Sequence, residues 1–373
     1  MIKIPANVVE FSGGTAHVGV YKQFVDYWNH YNNKGEFATS TIDTEGNTVS
    51  LSFDEKEDAL NKAIKREALR LAGITMSADF PEETWANHPT LQWAIFGIVG
   101  NMVDMILPDS IIQSNGLYSE VRNIGWGDTA AFDVSPRDLF VVTKGGRANR
   151  TSEIHKQSRG QVVINPENHM LTVGVSLYRV LAGKESLAEF VAKVIQSFEV
   201  AFTYEVYDAM ATAMAALSTS GTTQLKYAGY SDANFVGLAQ KVSAWNGGAK
   251  AVAIGTQLAI AKIFPSVGAS QFRYTVDDDY FKLGYVRNYQ GVDIMVLPQV
   301  ADYATPYSLK LKDDRVWFVS PSSQKIVKAV LEGSVQSNTN DTYGNANLTQ
   351  NTTMTKSWGI GIATNAVAGE LTV

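Results

Sequence analysis

Residues 186–217 read SLAEFVAKVIQSFEVAFTYEVYDAMATAMAAL, and they indicate one unusually long amphipathic helix. Apolar side chains recur at steps of three, four or eight, and neither Gly nor Pro interrupts the pattern before Gly221. Ser186 and Glu189 have the spacing of a capping box, whose two side chains satisfy free backbone donors at a helix start. At 1.5 Å per residue the predicted helix is about 46 Å long. Such an element suits a structural support better than the wall of a pocket.

Two strand-like segments, residues 129–143 and 161–180, precede this helix and are rich in Val, Phe, Leu and Ile. Between them residues 144–159 read KGGRANRTSEIHKQSR, a polar, basic segment that contains Gly. The pattern predicts a long hairpin that would be marginally stable alone, because two strands have little core of their own. We therefore expect this projection to lie on a neighbouring subunit.

The rest of the chain predicts a mixture of helices and strands. Residues 1–53 are expected to be mostly irregular or strand-like, with a small hairpin in 39–53. Helices are predicted at 54–71 and 91–107, and Pro108 should end the second and open an extended arm at 111–124. After a linker at 218–223, residues 224–312 read as α/β. The elements predicted beyond this linker are helices 232–245 and 256–263, strand 249–255, a hairpin in 285–297, and strands 315–320, 326–335 and 356–364.

Composition narrows the class of protein. The 373 residues are 45% apolar and 18% charged, which is ordinary for a soluble protein. The chain has no cysteine, which excludes disulfides and thiolate metal sites. A net charge of -6 gives no overall basic footprint for nucleic-acid binding.

Residues 91–107 barely reach a membrane-spanning length and contain Asn101 and Asp104, so a buried or subunit-facing helix is expected. The N-terminus lacks a signal-peptide pattern, which predicts a soluble protein that is not exported.

No catalytic spacing is found. The five histidines, at positions 17, 30, 88, 155 and 169, form no metal-binding HExxH pair. His155 and His169 lie on the predicted hairpin, where a solvated or contact role is expected. Residues 277–279 are three consecutive aspartates, which a solvated loop explains better than a metal site. The sequence therefore predicts no catalytic, cofactor-binding or metal-binding residues.

The order of these elements resembles the major capsid proteins of tailed bacteriophages, whose fold is named after phage HK97. That fold has an N-terminal arm, an extended hairpin called the E-loop, a long spine helix and an α/β axial domain. The segments that carry the resemblance are 124–180 for the E-loop, 186–217 for the spine helix, 249–256 and 283–298 for the axial domain, and 316–319 with 329–335 for the return to the peripheral sheet.

The resemblance implies an α+β protein with the HK97-like capsid fold and five regions. These are an N-terminal region and arm at 1–124, the E-loop hairpin and flanks at 125–183, the spine helix of the peripheral domain at 184–220, the axial domain at 221–312, and the return to the peripheral-domain sheet at 313–373.

The function implied is a non-enzymatic major capsid protein that assembles as hexamers and pentamers into an icosahedral shell around double-stranded DNA. Residues Arg147, Arg150, Lys156 and Arg159 at the E-loop tip are expected to meet acidic surface on a neighbouring subunit. The other partners implied are a separate scaffolding protein and a portal, with decoration proteins as a further option. Neither a membrane nor a cofactor is expected. The virion is the expected location, after assembly in the host cytoplasm.

Two alternatives remain open at this point. An encapsulin-type nanocompartment shell has the same fold but packages a cargo enzyme instead of a genome. A soluble α/β enzyme is the second alternative, and the absence of catalytic spacing counts against it.

Overall fold

A computed structural model describes most of the chain and shows an α+β protein. The residues described are 4–32, 40–42, 48–74, 88–116, 119–134, 159–175, 179, 184–263, 285, 287–302, 305–320, 324–339 and 350–373. The α-helices among them are Ala6–Phe11 (α1), Gly19–Tyr31 (α2), Phe53–Leu71 (α3), Pro89–Asn115 (α4), Leu187–Ala215 (α5), Asp232–Trp245 (α6) and Gln257–Ala261 (α7). A short 3₁₀ helix lies at Thr15–His17.

The strands of the described residues form two large sheets and three small pairs. The strands are Ser40–Ile42 (β1), Thr48–Ser50 (β2), Ser119–Ile124 (β3), Ala130–Val134 (β4), Gly160–Ile164 (β5), Glu167–Val175 (β6), Lys226–Ala228 (β7), Val252–Thr256 (β8), Asn288–Tyr289 (β9), Val292–Leu297 (β10), Ala301–Asp302 (β11), Ser308–Leu309 (β12), Arg315–Val319 (β13), Val327–Thr339 (β14), Gln350–Ile362 (β15) and Gly369–Thr372 (β16). A four-stranded sheet has the order β3-β14-β15-β6, and a six-stranded sheet has the order β7-β16-β13-β8-β10-β9. The small pairs are β1-β2, β4-β5 and β11-β12.

The long helix α5 packs against both large sheets. In its first half, Phe198 and Phe202 meet the ring of Trp358 on β15 edge-on, each at a centroid distance of 5.9 Å. In its second half, the ring of Tyr207 lies 4.9 Å from that of Trp317 on β13. These contacts belong to one continuous apolar core. The helix predicted at 186–217 is therefore confirmed, and it is the element that joins the two sheets.

The start of α5 is capped differently from the sequence prediction. The Ser186 hydroxyl accepts the Glu189 backbone N–H at 3.2 Å, as predicted. The Glu189 carboxylate pairs with Lys193 at 2.6 Å instead of returning to the helix start. Asn61 on α3 satisfies a different free donor of the first turn, because its side-chain oxygen accepts the Ala188 N–H at 3.1 Å. Only the serine half of the predicted capping box is therefore present, and a residue of another helix satisfies a further backbone donor.

The helix α4 extends further than predicted. It continues through Pro108 to Asn115, so the prediction that Pro108 ends the helix is wrong. The side chains of Leu107 and Ile111 on either side of the proline are fully buried. We attribute the continuation to this packing, which offsets a proline penalty of about 3 kcal/mol. The extended arm predicted at 111–124 is reduced to strand β3.

The N-terminal segment is also more helical than predicted. Residues 6–11 and 19–31 are helices, although the 39–53 hairpin is present as the antiparallel pair β1-β2. Helix α2 buries Tyr21, Phe24 and Trp28, which lie three or four residues apart. This helical period is present in the sequence, but the abundance of Gly, Asn, Thr and aromatic residues in 1–53 favours irregular or strand-like structure.

One strand lies in a different sheet from the one predicted. The resemblance assigned 316–319 to the same sheet as 329–335. Strand β13 instead hydrogen bonds with β8 on one side and β16 on the other, within the six-stranded sheet. The region 313–373 is consequently divided between the two sheets, because β14 and β15 belong to the four-stranded one.

Candidate assembly surface

The described part of the predicted hairpin is its base, formed by β4 and β5. The two strands pair antiparallel from Ala130 opposite Ile164 to Val134 opposite Gly160. Phe132 and Ile164 are buried in a small apolar cluster against β14. The side chains of Val162 and Val163 are 36% and 54% exposed. The base is thus attached to the sheet by part of its apolar surface and leaves the rest open to solvent.

Charged groups on the four-stranded sheet hold the hairpin base in place. The Arg122 guanidinium lies over the Phe132 ring at 4.3 Å and donates to the Ala131 carbonyl oxygen at 3.1 Å. The Glu120 carboxylate accepts from Lys328 Nζ at 2.5 Å and from Arg122 at 2.7 Å. Burial acts to raise the pKa of Glu120, but these two hydrogen bonds outweigh it and hold the pKa below its usual range.

Two glycines on β15, Gly359 and Gly361, allow the end of β5 to pass close to the backbone of the four-stranded sheet. A Cβ atom at Gly359 would lie 2.6 Å from the Asn165 carbonyl oxygen, a backbone atom. At Gly361 it would lie 3.0 Å from Cδ1 of Ile164, the end of a flexible side chain. The backbone contact leaves no room for any side chain at Gly359.

We expect Gly359→Ala to destabilise the unassembled protein by about 1–3 kcal/mol, because the backbone of Asn165 must move. The matched variant Gly361→Ala should cost less than about 1 kcal/mol, since Ile164 can change rotamer. Urea unfolding followed by circular dichroism measures both. Equal losses would show that close backbone approach does not determine how the hairpin base is attached.

The structure describes only one of the four predicted tip residues. Arg147, Arg150 and Lys156 lie outside the described residues. Arg159 is described and exposed, directly before β5. The contact role of all four residues therefore stays a prediction from the sequence.

His169 lies on β6 and has a structural contact instead of a solvated one. Its ring stacks on Trp358 with centroids 3.7 Å apart and planes within 4°. Its Nε2 atom lies 3.0 Å from a Glu205 carboxylate oxygen, and the other oxygen accepts the Trp358 indole N–H at 2.8 Å. This group joins β6, β15 and the long helix. Of the two predicted roles for His169, contact is the one observed; His155 lies outside the described residues.

A buried ion pair connects α4 to the four-stranded sheet. The Asp104 carboxylate accepts from Lys356 Nζ at 3.3 Å and from the Val335 backbone N–H at 3.1 Å. Lys356 is almost fully buried and also donates to the Gly333 carbonyl oxygen at 2.5 Å. Residues 90–115 are long and apolar enough to cross a membrane, but 67% of their most apolar window is buried within the protein. Asp104 of this helix is therefore paired with Lys356 inside the protein.

A groove of about 610 Å³ runs between α3 and the start of α5. Its charged lining consists of Glu57, Asp58, Glu185, Glu189, Lys62, Lys65, Lys184 and Lys193. Within this lining Glu189 pairs with Lys193, and Glu185 pairs with Arg179 at 2.9 Å. Asp58 is exposed on the outer side of α3. The groove offers both signs of charge to an approaching surface.

Among the described residues no group of three or more His, Asp or Glu side chains could hold a metal ion. The three aspartates at 277–279 lie outside them. Asp313 belongs to a turn and accepts hydrogen bonds from Thr256 at 2.5 Å and Gln299 at 3.1 Å. These contacts give Asp313 a structural role.

The sequence matches a family model over residues 36–372, and that family is described as "SPbeta prophage-derived putative capsid protein YonB". The chain belongs to this family. It is a capsid protein, and its role is structural. The hairpin before a long helix, followed by an α/β sheet, is the element order of the HK97 capsid fold. Self-assembly into a shell and a location in the virion follow from this membership. No curated protein shows significant similarity to the sequence.

Solved structures resemble this capsid protein at low identity. The capsid of a native GTA particle is 12% identical with a TM-score of 0.48, covering 70% of this chain and 90% of that one. The capsid of cyanophage P-SCSP1u is 13% identical with a TM-score of 0.41, covering 68% and 86%. A virus-like particle from Pyrococcus furiosus is 12% identical with a TM-score of 0.40, covering 72% and 97%. Identities this low do not bear on partners or mechanism.

Proposed function

We propose that this capsid protein is the major shell subunit, which assembles as hexamers and pentamers into an icosahedral shell enclosing double-stranded DNA. The observation that carries the proposal is the base of the hairpin, whose β5 strand leaves Val162 and Val163 exposed. A two-stranded projection without its own core gains stability when it lies on another subunit. The phage family match favours this reading over a nanocompartment that packages an enzyme.

The proposed assembly needs no catalytic step, and its energy comes from buried area and from contacts repeated around each capsomer. A separate scaffolding protein, a portal and, as a further option, decoration proteins are the proposed additional partners. Assembly is proposed to occur in the host cytoplasm. DNA would be enclosed without sequence-specific binding, consistent with the net charge of -6.

Expression of the full chain, alone and with a candidate scaffolding protein, tests this proposal. Electron microscopy of the purified product should show closed shells of uniform size. Compact monomers or dimers under both conditions would contradict the proposal. Shells from infected or induced cells that contain nuclease-resistant DNA support a virion shell, whereas shells that contain an enzyme support the nanocompartment alternative.

The basic tip gives a second, finer test of the same proposal. We expect Arg147→Glu combined with Arg150→Glu to lower the yield of shells and their resistance to heat, because two contacts with acidic surface on the neighbour become repulsive. Single exposed ion pairs contribute only about 0–1 kcal/mol, but each contact recurs throughout the shell. Asp58, exposed beside the groove on α3, is one candidate for the acidic surface.

The matched control is Arg147→Lys combined with Arg150→Lys, which keeps both charges and should assemble normally. Shell yield is measured by sedimentation, and heat resistance by scanning calorimetry of purified particles. Unchanged yield and melting temperature in the charge-reversal variant would show that the tip charges do not contribute to assembly.

A further inference from the structure

A second projection of the chain ends in an exposed aromatic residue. The described residues 299–302 and 305–311, which we call the tongue, follow β10 and contain the strand pair β11-β12. Tyr307 lies at the turn with a φ of +62°, a left-handed conformation that bulky side chains rarely adopt. Its side chain is 104% exposed, the highest value among the exposed large apolar side chains of the described residues. Leu309 beside it is also mostly exposed.

The side chain of Gln299 holds the base of the tongue with several hydrogen bonds. The Gln299 side-chain oxygen accepts the backbone N–H groups of Val300 and Leu311, at 3.1 and 3.0 Å. Its side-chain nitrogen donates to the Leu311 carbonyl oxygen at 3.1 Å. One side chain thus closes both ends of the loop. A contact element held this way loses little conformational freedom on binding.

The tongue is also joined to the long helix. Lys310 Nζ lies 4.2 Å from the centre of the Tyr204 ring and 3.6 Å from an Asp302 carboxylate oxygen. The Lys312 backbone N–H donates to the Tyr207 hydroxyl at 3.0 Å. These contacts attach the tongue directly to α5, the helix that packs against both large sheets.

The chemistry of the tip favours a protein surface as its partner. Residues 301–309 read ADYATPYSL, and the single charged residue, Asp302, is paired with Lys310. A surface that contacts nucleic acid needs unpaired cations for the phosphates. Tyrosine, in contrast, is enriched among the residues that dominate protein–protein interfaces.

We propose that Tyr307 and Leu309 form a second inter-subunit contact, in which the tongue of one copy packs against a different surface of a neighbouring copy. The inference rests on the proposed shell function, because identical neighbours are the partners that assembly brings to every subunit. A tip and a separate receiving surface make a head-to-tail contact, which closes into rings when the rotation is right. Burial of the exposed Tyr307 ring in such a contact would be favourable in free energy. That gain offsets the cost of the left-handed backbone conformation at Tyr307.

The first test compares two substitutions at the tip. Tyr307→Asn removes the ring and keeps a residue that tolerates the left-handed region. The unassembled variant should melt at or above the wild-type temperature, yet need a subunit concentration about tenfold or more higher to form shells. Tyr307→Phe keeps the ring and should assemble as the wild type does. Normal assembly of the Tyr307→Asn protein would overturn the inference.

The second test leaves Tyr307 in place. The chain has no cysteine, so Thr305→Cys introduces a single thiol at the exposed turn. A maleimide dye should label this thiol rapidly in unassembled subunits and at least about tenfold more slowly in intact shells, because a neighbour covers the tip. Equal rates in both states would overturn the inference while leaving the shell function intact. Failure of the wild-type chain to form any shell would instead reject the proposed function itself.

Discussion

Replacing Asp104 with alanine is expected to lower the free energy of unfolding by about 3–5 kcal/mol, the usual cost of removing one partner of a buried ion pair. The carboxylate is 11% exposed and its partner Lys356 only 2%. After the substitution the ammonium group of Lys356 stays buried with the Gly333 carbonyl oxygen as its described partner. The Val335 N–H also loses its acceptor. Urea unfolding of the unassembled subunit measures the loss.

The matched control removes both charges. Asp104→Asn combined with Lys356→Met keeps an oxygen that can accept the Val335 N–H and replaces the buried ammonium with an apolar side chain of similar length. We expect this double variant to recover more than half of the lost stability, because a buried pair contributes little beyond neutralising itself. A double variant as unstable as Asp104→Ala would show that the uncompensated charge is not the cause.

Replacing Trp358 with alanine should destabilise the subunit by about 3–5 kcal/mol. This side chain is 1% exposed and touches the ring of His169 on the neighbouring strand and two phenylalanines on α5. Its loss leaves a cavity between the four-stranded sheet and the long helix. It also removes the indole N–H that the Glu205 carboxylate accepts. Thermal and urea unfolding followed by circular dichroism both report the change.

Trp126 provides the control for size and residue type, since its side chain is 76% exposed at the turn between β3 and β4. Trp126→Ala should change the stability of the unassembled subunit by no more than about 0.5 kcal/mol. Similar losses for the two tryptophans would mean that packing on α5 is not what makes Trp358 important.

The parts of the fold that the sequence predicts well are those with a strong local pattern. The long helix, the helices at 53–71 and 232–245 and the hairpin around 289–291 combine regular apolar spacing with a capping serine or a turn glycine. Composition also located strand-forming segments at 129–143 and 161–180, but the second contains two strands, of which β5 pairs with β4 and β6 pairs with β15. In each case the signal lies within a few residues of the element that it predicts.

The parts that were missed depend on contacts between residues far apart in the chain. Pro108 remains helical because of the packing around it, and Asn61 on another helix accepts the Ala188 N–H at the start of α5. The sheet to which β13 belongs is fixed by its pairing with β8 and β16. No local pattern distinguishes this pairing from one with β14, because both choices bury an apolar strand.

For the candidate site, the sequence predicts only the types of residue and not their contacts. Basic residues in the segment 144–159 are visible in the sequence. Of the four predicted contact residues the structure describes Arg159, directly before β5. The close approach at Gly359 and the conformation of Tyr307 are visible only in three dimensions. Backbone conformation with positive φ at a tyrosine has no sequence signal, because such residues normally avoid it.

The strand order has a consequence for when a subunit becomes able to assemble. Ser119 on β3 pairs with Val327 on β14, and Lys226 on β7 pairs with Glu370 on β16. Both large sheets therefore contain strands that are synthesised early and pair with strands synthesised much later. Strand pairs so far apart in the sequence form slowly. A partly synthesised chain has neither a complete support for the hairpin nor a closed sheet beneath the tongue. We therefore expect each copy to complete these two supports only after β14 and β16 have been synthesised.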